Sequence, residues 1–187
     1  MTGILRNISA IHNSNRTQNR SELLTKLAYA MYLFTFGSVA GWCLEVVFRS
    51  VTHGRLYIPG FLMGPYCPIY GMGMLLIVFV CNHKSKIRSF FEIVFLSSAL
   101  EYVISFLAEN MFGKLLWDYS DLPLSIGTRV SFAFSIAWGA LGLLVLVFAE
   151  PALHRIYTSH KKATQDISAG ILSAIVLDFI LSAAMCL

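Results

Sequence analysis

Long apolar stretches constrain the fold of this chain more than any other feature of its sequence. Five of them approach the roughly 20 residues that a helix needs to cross a lipid bilayer. They span residues 27–48, 61–82, 89–111, 130–149 and 167–187. The chain is 57% hydrophobic and 13% charged, and its connections are too short for a separate soluble domain. The sequence therefore predicts an all-α integral membrane protein, a bundle of about five transmembrane helices.

Basic residues are distributed unevenly around these stretches, which predicts the orientation of the bundle. Ten of the 14 Lys and Arg residues lie before the first stretch, after the second or after the fourth. They are Arg6, Arg16, Arg20, Lys26, Lys84, Lys86, Arg88, Arg155, Lys161 and Lys162. Because basic loops remain in the cytoplasm, we expect a multi-pass protein of the cell membrane with a cytoplasmic N-terminus and an external C-terminus. This asymmetry accounts for the net charge of +4, so no nucleic-acid partner is predicted.

The residues before the first apolar stretch are polar and basic, and they lack the apolar core of a signal peptide. The first stretch is therefore expected to remain in the mature protein. We predict a flexible, basic cytosolic arm over residues 1–26 and a transmembrane helical domain over residues 27–187.

The second apolar stretch begins with a segment that a regular helix does not tolerate. Residues 59–71 contain three prolines and three glycines. Each proline removes a backbone donor and disfavours helix in the residue before it. Irregular backbone at membrane depth persists only where protein or a wet cavity satisfies its polar groups. We predict that this span is interrupted and that its prolines face protein or a cavity; the alternative is a simple proline-capped helix entrance.

Similarity between the first and third stretches, and between the second and fourth, indicates an internal duplication. The shared features are a Leu-Glu pair, a Gly-basic-Leu exit and an aromatic-Gly pair that opens an aliphatic run. The matching segments are residues 44–45 with 100–101, 54–56 with 113–115, and 69–76 with 137–144. We predict two tandem helical hairpins plus a C-terminal helix. The alternative is independent use of small and aromatic residues near a membrane interface.

An aromatic and acidic loop, residues 116–129, separates the third and fourth stretches. Its aromatic residues suit the membrane interface, and its Asp, Ser and Pro residues favour turns. We predict an ordered external loop in which Trp117, Asp118 and Tyr119 fold over the mouth of the bundle and meet the interrupted segment. Arg129 should pair with Asp118 or Glu109, because a partly desolvated guanidinium requires a carboxylate.

Several motifs together resemble a known family. They are Gly41-Trp42 with Glu45, residues 60–71, residues 117–120 and Trp138-Gly139. This combination, spread over about residues 32–178, resembles the bacterial membrane family labelled putative ABC-transporter type IV, or CmpB-like. The resemblance implies a permease-like membrane protein. Because the sequence contains no Gly-x-x-x-x-Gly-Lys-Ser/Thr loop, a separate ATPase subunit is a candidate partner.

Three acidic residues lie inside the predicted spans, namely Glu45, Glu101 and Asp178. An ionisable side chain there costs about 2.5 to 3.5 kcal/mol and is usually functional. Arg49 follows Glu45 by one helical turn, so an ion pair within the helix is expected. The duplication should bring Glu45 and Glu101 toward one interior volume, with Asp178 approaching from the fifth helix. Such carboxyls would share a proton or a cation; the alternative is that they are structural hydrogen-bonding groups.

The candidate substrate- or ion-binding site combines these acids with the interrupted segment. It comprises Glu45, Arg49, Gly64, Pro65, Pro68, Tyr70, Glu101 and Asp178. The cysteines and histidines show no spacing typical of metal ligands or of a disulfide framework. The sequence therefore predicts neither a metal nor a cofactor.

These observations favour a small bacterial membrane transporter, or a permease-like transporter subunit, with an externally open site. The first alternative is a membrane enzyme that acts on a lipid-linked or headgroup substrate, with Glu109, Asp118 and Arg129 as its polar groups. The second is an assembly or regulatory partner, because Gly37 and Gly41 have the spacing of a helix-packing motif. The lipid bilayer, an ATPase subunit and a second copy of the chain are the candidate partners.

Overall fold

A computed structural model describes the backbone of residues 2–185 and the side chains of residues 18–185. The helices are α1 (Thr2–His53), α2 (Pro68–Phe79), α3 (Lys86–Phe112), α4 (Phe132–Leu144), α5 (Glu150–Ser159) and α6 (Lys161–Ala184). A π-helical turn, Val145–Ala149, joins α4 to α5, and a two-stranded antiparallel hairpin pairs β1 (Ser125–Ile126) with β2 (Val130–Ser131).

Four helical segments are long and apolar enough to cross a membrane, judged by length and composition. They are Gln18–His53, Lys86–Phe112, Phe132–Ser159 and Lys161–Ala184. The helix α2 is also apolar but only 12 residues long. The chain is thus an all-α, multi-pass membrane protein, as the sequence predicts. The helices leave many large apolar side chains exposed, as expected for surfaces that face lipid.

The second crossing is half extended and half helical. Within the predicted span of residues 61–82, the helix begins only at Pro68 and is confined to α2. The amide of Cys67 donates to the carbonyl of Ser38 at 2.9 Å, which places the start of α2 beside the C-terminal half of α1. From there α2 runs antiparallel to α1, and the ring of Phe79 meets that of Tyr29. The predicted interruption is therefore confirmed.

Several helices extend beyond their predicted bounds. The backbone of α1 is helical through residues 2–26, where the sequence predicts a flexible arm; the cytosolic position of that segment stays a prediction. The fourth span continues to Ser159 rather than ending at Ala149. The π-helical turn lies just before Pro151, which lacks an amide hydrogen and would clash in a regular helix.

The hairpins α1–α2 and α3–α4 pack in the same register. Gly71 of α2 lies so close to Ser38 of α1 that a Cβ atom would collide with its hydroxyl. Gly139 of α4 lies similarly close to Val94 of α3. Ser38 and Val94 are separated by the same number of residues as Glu45 and Glu101. Gly71 and Gly139 are likewise separated by the same number of residues as Tyr70 and Trp138, and as Met74 and Gly142. This common register supports the two tandem hairpins plus a C-terminal helix.

The two ends of the bundle differ. At one end, here called the loop end, α1 and α3 end, α4 begins and residues 113–131 form the hairpin loop. The opposite end carries the α2–α3 and α5–α6 turns and the larger apolar core. That core consists of Tyr32, Leu33, Met74, Val78, Leu153 and Tyr157.

Candidate functional site

The carboxyl group of Glu101 on α3 is buried against α4 and the loop. Its side chain is only 6% exposed. One oxygen, Oε1, accepts hydrogen bonds from Trp138 Nε1 at 2.9 Å and from the Tyr119 hydroxyl at 3.3 Å. The other oxygen, Oε2, is buried without a hydrogen-bond partner among the residues that the structure describes. Because buried polar atoms are nearly always paired, this unpaired oxygen is a candidate position for a proton or a ligand.

The loop delivers Tyr119 to this carboxyl. Trp117 Nε1 donates to the carbonyl of Arg129 at 2.9 Å, and the amide of Tyr119 donates to the carbonyl of Thr128 at 3.1 Å. The Tyr119 ring then stacks on Phe134, with ring centres 4.9 Å apart. The two sides of the loop are thereby tied together, and the Tyr119 hydroxyl points into the bundle.

Glu45 forms the predicted ion pair with Arg49. Arg49 Nε lies 2.8 Å from Glu45 Oε1, and the side chains of Arg49 and Glu45 are 24% and 16% exposed respectively. The guanidinium also lies over the Tyr57 ring, 5.6 Å from its centre. The charge of Glu45 is thus compensated by its own helix.

Aromatic side chains connect the two acids. The Tyr70 ring packs on Gly41, one turn before Glu45, and meets the Trp138 ring edge to face at 5.7 Å. Burial and the Glu101 carboxylate raise the pKa of Tyr119, Arg49 lowers it, and Glu45 raises it further. We call Glu45, Arg49, Tyr70, Glu101, Tyr119 and Trp138 the acid–aromatic cluster.

Asp178 has a different environment from the one expected. Its carboxylate accepts the amides of Gly64 at 2.8 Å and Met63 at 3.3 Å, and the Ser182 hydroxyl at 3.0 Å. It therefore binds the backbone of the interrupted segment instead of joining Glu45 and Glu101. A shared volume for Glu45 and Glu101 stays a prediction, whereas the expected approach of Asp178 to them is wrong. The reason is that the extended backbone has free amides, and a buried carboxylate on α6 is their strongest available acceptor.

The prolines of the interrupted segment have unequal environments. Pro59 is buried, Pro68 is half-buried and Pro65 is exposed, so the expectation that every proline faces protein or a cavity stays a prediction for Pro65. The segment packs through Phe61, whose ring lies 5.1 Å from Phe112 and 6.1 Å from Phe179. These partners belong to α3 and α6.

A contact joins the interrupted segment to the loop, because Lys114 Nζ lies 5.8 Å from the centre of the Phe61 ring. Tyr119 extends from the loop to Glu101. The expectation that Trp117, Asp118 and Tyr119 meet the segment stays a prediction.

The polar groups of the loop bind partners within the loop or at the end of α3. Arg129 pairs with Glu109 at 2.6 Å, which confirms the predicted ion pair and identifies the partner. Glu109 correspondingly raises the pKa of Arg129. Asp118 accepts the amide of Ser120 at 2.8 Å, and this hydrogen bond lowers the pKa of Asp118. These contacts hold the loop in shape.

Sequence reasoning missed Trp138 as a partner of the buried acid. The available signal was its match to Tyr70 in the duplicated pattern, because Tyr70 was already a candidate. It also missed four serines between α3 and α4. Ser98 and Ser135 share a hydrogen bond of 2.6 Å. The hydroxyls of Ser105 and Ser131 are buried without partners among the described residues. Within residues 18–185, no three His, Cys, Asp or Glu side chains converge as metal ligands.

Comparisons with known proteins give a family but no close relative. No curated protein and no solved structure matches the chain. A family model described as "Putative ABC-transporter type IV" matches residues 32–183, which include the C-terminal part of α1, the interrupted segment, the loop and nearly all of α6. The match covers far more than half of the chain, and it includes every member of the acid–aromatic cluster. The chain therefore belongs to the putative ABC-transporter type IV family.

Proposed function

We propose that this chain is a small membrane transporter, or the permease-like subunit of one, and that the acid–aromatic cluster binds its coupling ion or a cationic substrate. The family and the apolar helices support a transporter-type membrane protein. The observation that carries the finer proposal is the free, buried Oε2 of Glu101.

The duplication explains why Glu101 is the more available acid. The shift in sequence that relates Glu45 to Glu101 relates Arg49 to Ser105. The second hairpin therefore has a hydroxyl where the first has a guanidinium, and the hydrogen-bond donors to Glu101 are the neutral side chains of Trp138 and Tyr119. An uncompensated carboxylate inside a bundle is costly. Binding a proton or a cation removes that cost.

The aromatic lining favours a cation over an anion. The rings of Tyr70 and Trp138 lie beside the acids, and aromatic faces attract positive charge. In this conformation, the side chains of Tyr70 and Trp138 lie between the two acids. The externally open site that the sequence predicts is therefore a part of the proposal and not an observation. Opening of the site would require movement of the interrupted segment. The backbone of this segment lacks the regular hydrogen bonds of a helix, and the amides of Met63 and Gly64 bind the Asp178 carboxylate instead. Energy would come from an ion gradient or from a separate ATPase subunit.

Proton flux through reconstituted protein tests this proposal. Proteoliposomes containing a pH-sensitive dye are energised with a potassium diffusion potential, and internal pH is followed with and without external sodium or tetramethylammonium. We expect a proton flux above that of protein-free liposomes, or a proton flux that changes when sodium or tetramethylammonium is present. Glu101→Gln should reduce it by about tenfold or more, since it removes the titrating group. The matched control is Asp121→Asn, on the exposed part of the loop.

Two results would argue against the proposal. In one, Glu101→Gln matches the parent protein under every gradient. In the other, the parent shows no proton or cation flux, and neither cation changes its thermal unfolding.

A further inference from the structure

We propose that a groove beside the α2–α3 turn binds an anionic phospholipid, with the headgroup at the turn and one acyl chain along α3. The groove has a volume of about 530 Å³. Its lining includes Val80, His83, Arg88, Phe91 and Phe95. It lies at the end opposite the loop, away from the acid–aromatic cluster, so this proposal is independent of the transport proposal.

The charge at the start of α3 is suited to a phosphate. Lys84, Lys86 and Arg88 are all exposed, and together they outnumber the one nearby acid, Glu92. Glu92 is itself compensated, because its oxygens lie 2.7 Å from Arg88 Nε and 2.6 Å from His83 Nε2. This local surface is therefore positive.

Arg88 is oriented for a second partner. Its side chain is 66% exposed and uses only Nε in binding Glu92, with no other side-chain hydrogen bond among the described residues. The two terminal nitrogens are therefore free to bind phosphate oxygens, for which the guanidinium fork is well matched. The first turn of α3 adds the positive end of a 27-residue helix dipole.

The apolar part of the groove follows the charged part in the direction of the bilayer centre. Phe91 and Phe95 lie one and two turns further along α3 than Arg88, and they are 64% and 71% exposed. Val80 closes the groove from the end of α2. Headgroup charge followed by an apolar channel is the order of groups in a phospholipid. This order distinguishes a lipid from a free phosphate, which needs no channel, and from a soluble partner, which would not reach membrane depth.

Native mass spectrometry of the full-length protein in detergent measures the predicted binding. Phosphatidylglycerol and phosphatidylcholine with identical chains are titrated separately. We expect phosphatidylglycerol to bind about tenfold more tightly or better, because each basic residue near a headgroup adds to the attraction. The triple variant Lys84→Gln, Lys86→Gln and Arg88→Gln should lose most of this preference.

A second triple variant controls for the loss of charge itself. Arg155→Gln, Lys161→Gln and Lys162→Gln remove the same charge from the exposed α5–α6 turn at the same end of the bundle. The preference should survive in this control. Phe91→Ala should weaken binding of both lipids, whereas Phe148→Ala, an exposed ring outside the groove, should not.

The parent protein alone gives a further test that does not depend on the folding of any variant. Phosphatidylglycerol with a photoreactive group on its acyl chain should label peptides from residues 79–96. Equal affinity for the two lipids, equal effects of both triple variants, or labelling confined to other segments would overturn the proposal. It would also be overturned if phosphatidylglycerol failed to bind and crosslinking joined two copies of the chain through this groove.

Discussion

The two acids of the acid–aromatic cluster occupy equivalent positions in the duplicated hairpins but differ in their partners. Glu45 is paired with Arg49, one turn away on the same helix. Glu101 has Ser105 at the corresponding position, and the hydroxyl of Ser105 is buried without a partner among the described residues. A single residue difference between the repeats therefore separates a compensated carboxylate from one with a free oxygen. This asymmetry is the reason why we assign ion binding to Glu101 and not to Glu45 in the proposed function.

The hydrogen bond from Trp138 to Glu101 should contribute to stability. Trp138→Phe removes the donor and leaves Glu101 with the Tyr119 hydroxyl alone, so we expect a loss of about 1–3 kcal/mol in the free energy of unfolding. Chemical unfolding in detergent, followed by circular dichroism, measures it. Trp42→Phe is the matched control, because the Trp42 indole nitrogen is buried without a partner among the described residues. Equal costs for both variants would contradict the role of this hydrogen bond.

At the scale of elements, the packing of α2 on α1 depends on a close approach at Gly71. A Cβ there would collide with the Ser38 hydroxyl and with the backbone carbonyl of Phe34. Gly71→Ala should therefore destabilise the protein by about 1–3 kcal/mol through overpacking. At Gly73, half a turn along the same helix, a Cβ would enter open space, with no contact within 4 Å. Gly73→Ala should be neutral or stabilising, and equal effects on thermal unfolding would refute the argument.

The link between α6 and the interrupted segment should depend on both oxygens of Asp178. An asparagine at this position keeps only one acceptor, so Asp178→Asn should leave the amide of Met63 or Gly64 unpaired. We expect a loss of about 1–3 kcal/mol in stability and faster hydrogen exchange at these two amides. Asp166→Asn, on the exposed face of α6, serves as the control. Unchanged exchange at Met63 and Gly64 would show that the segment is held by other contacts.

At the scale of the whole molecule, the chain crosses the bundle an odd number of times. The crossings are α1, the interrupted segment with α2, α3, α4 with α5, and α6. The two termini should therefore lie on opposite sides of the membrane, with the N-terminus cytoplasmic according to the distribution of basic residues. Single-cysteine tags at each terminus, in a cysteine-free background, test this with a membrane-impermeant maleimide on intact cells. Only the C-terminal tag should react before lysis; labelling of both tags or neither would contradict this topology.

Several properties of this protein follow from its sequence alone, because they depend on local physics. The length and apolarity of the spans require a membrane bundle, and prolines prevent a regular helix before Pro68. The Glu45–Arg49 pair follows from helical spacing. Helix ends were less predictable, because apolarity reports the part of a helix inside the bilayer and α1 and α5 continue in polar residues beyond it.

Contacts between distant segments were decided only by the tertiary structure. The hairpin loop brings Tyr119 to Glu101, whereas the sequence predicts only that the loop covers the mouth of the bundle and meets the interrupted segment. The sequence likewise suggested a binding role for Asp178, whereas the packing of α6 gives that carboxylate the free amides of Met63 and Gly64. A buried acid binds whichever donors the fold leaves unpaired, and unpaired donors arise from how separate elements meet. Spacing along the chain reveals that such an acid must have a partner, but only packing determines which one.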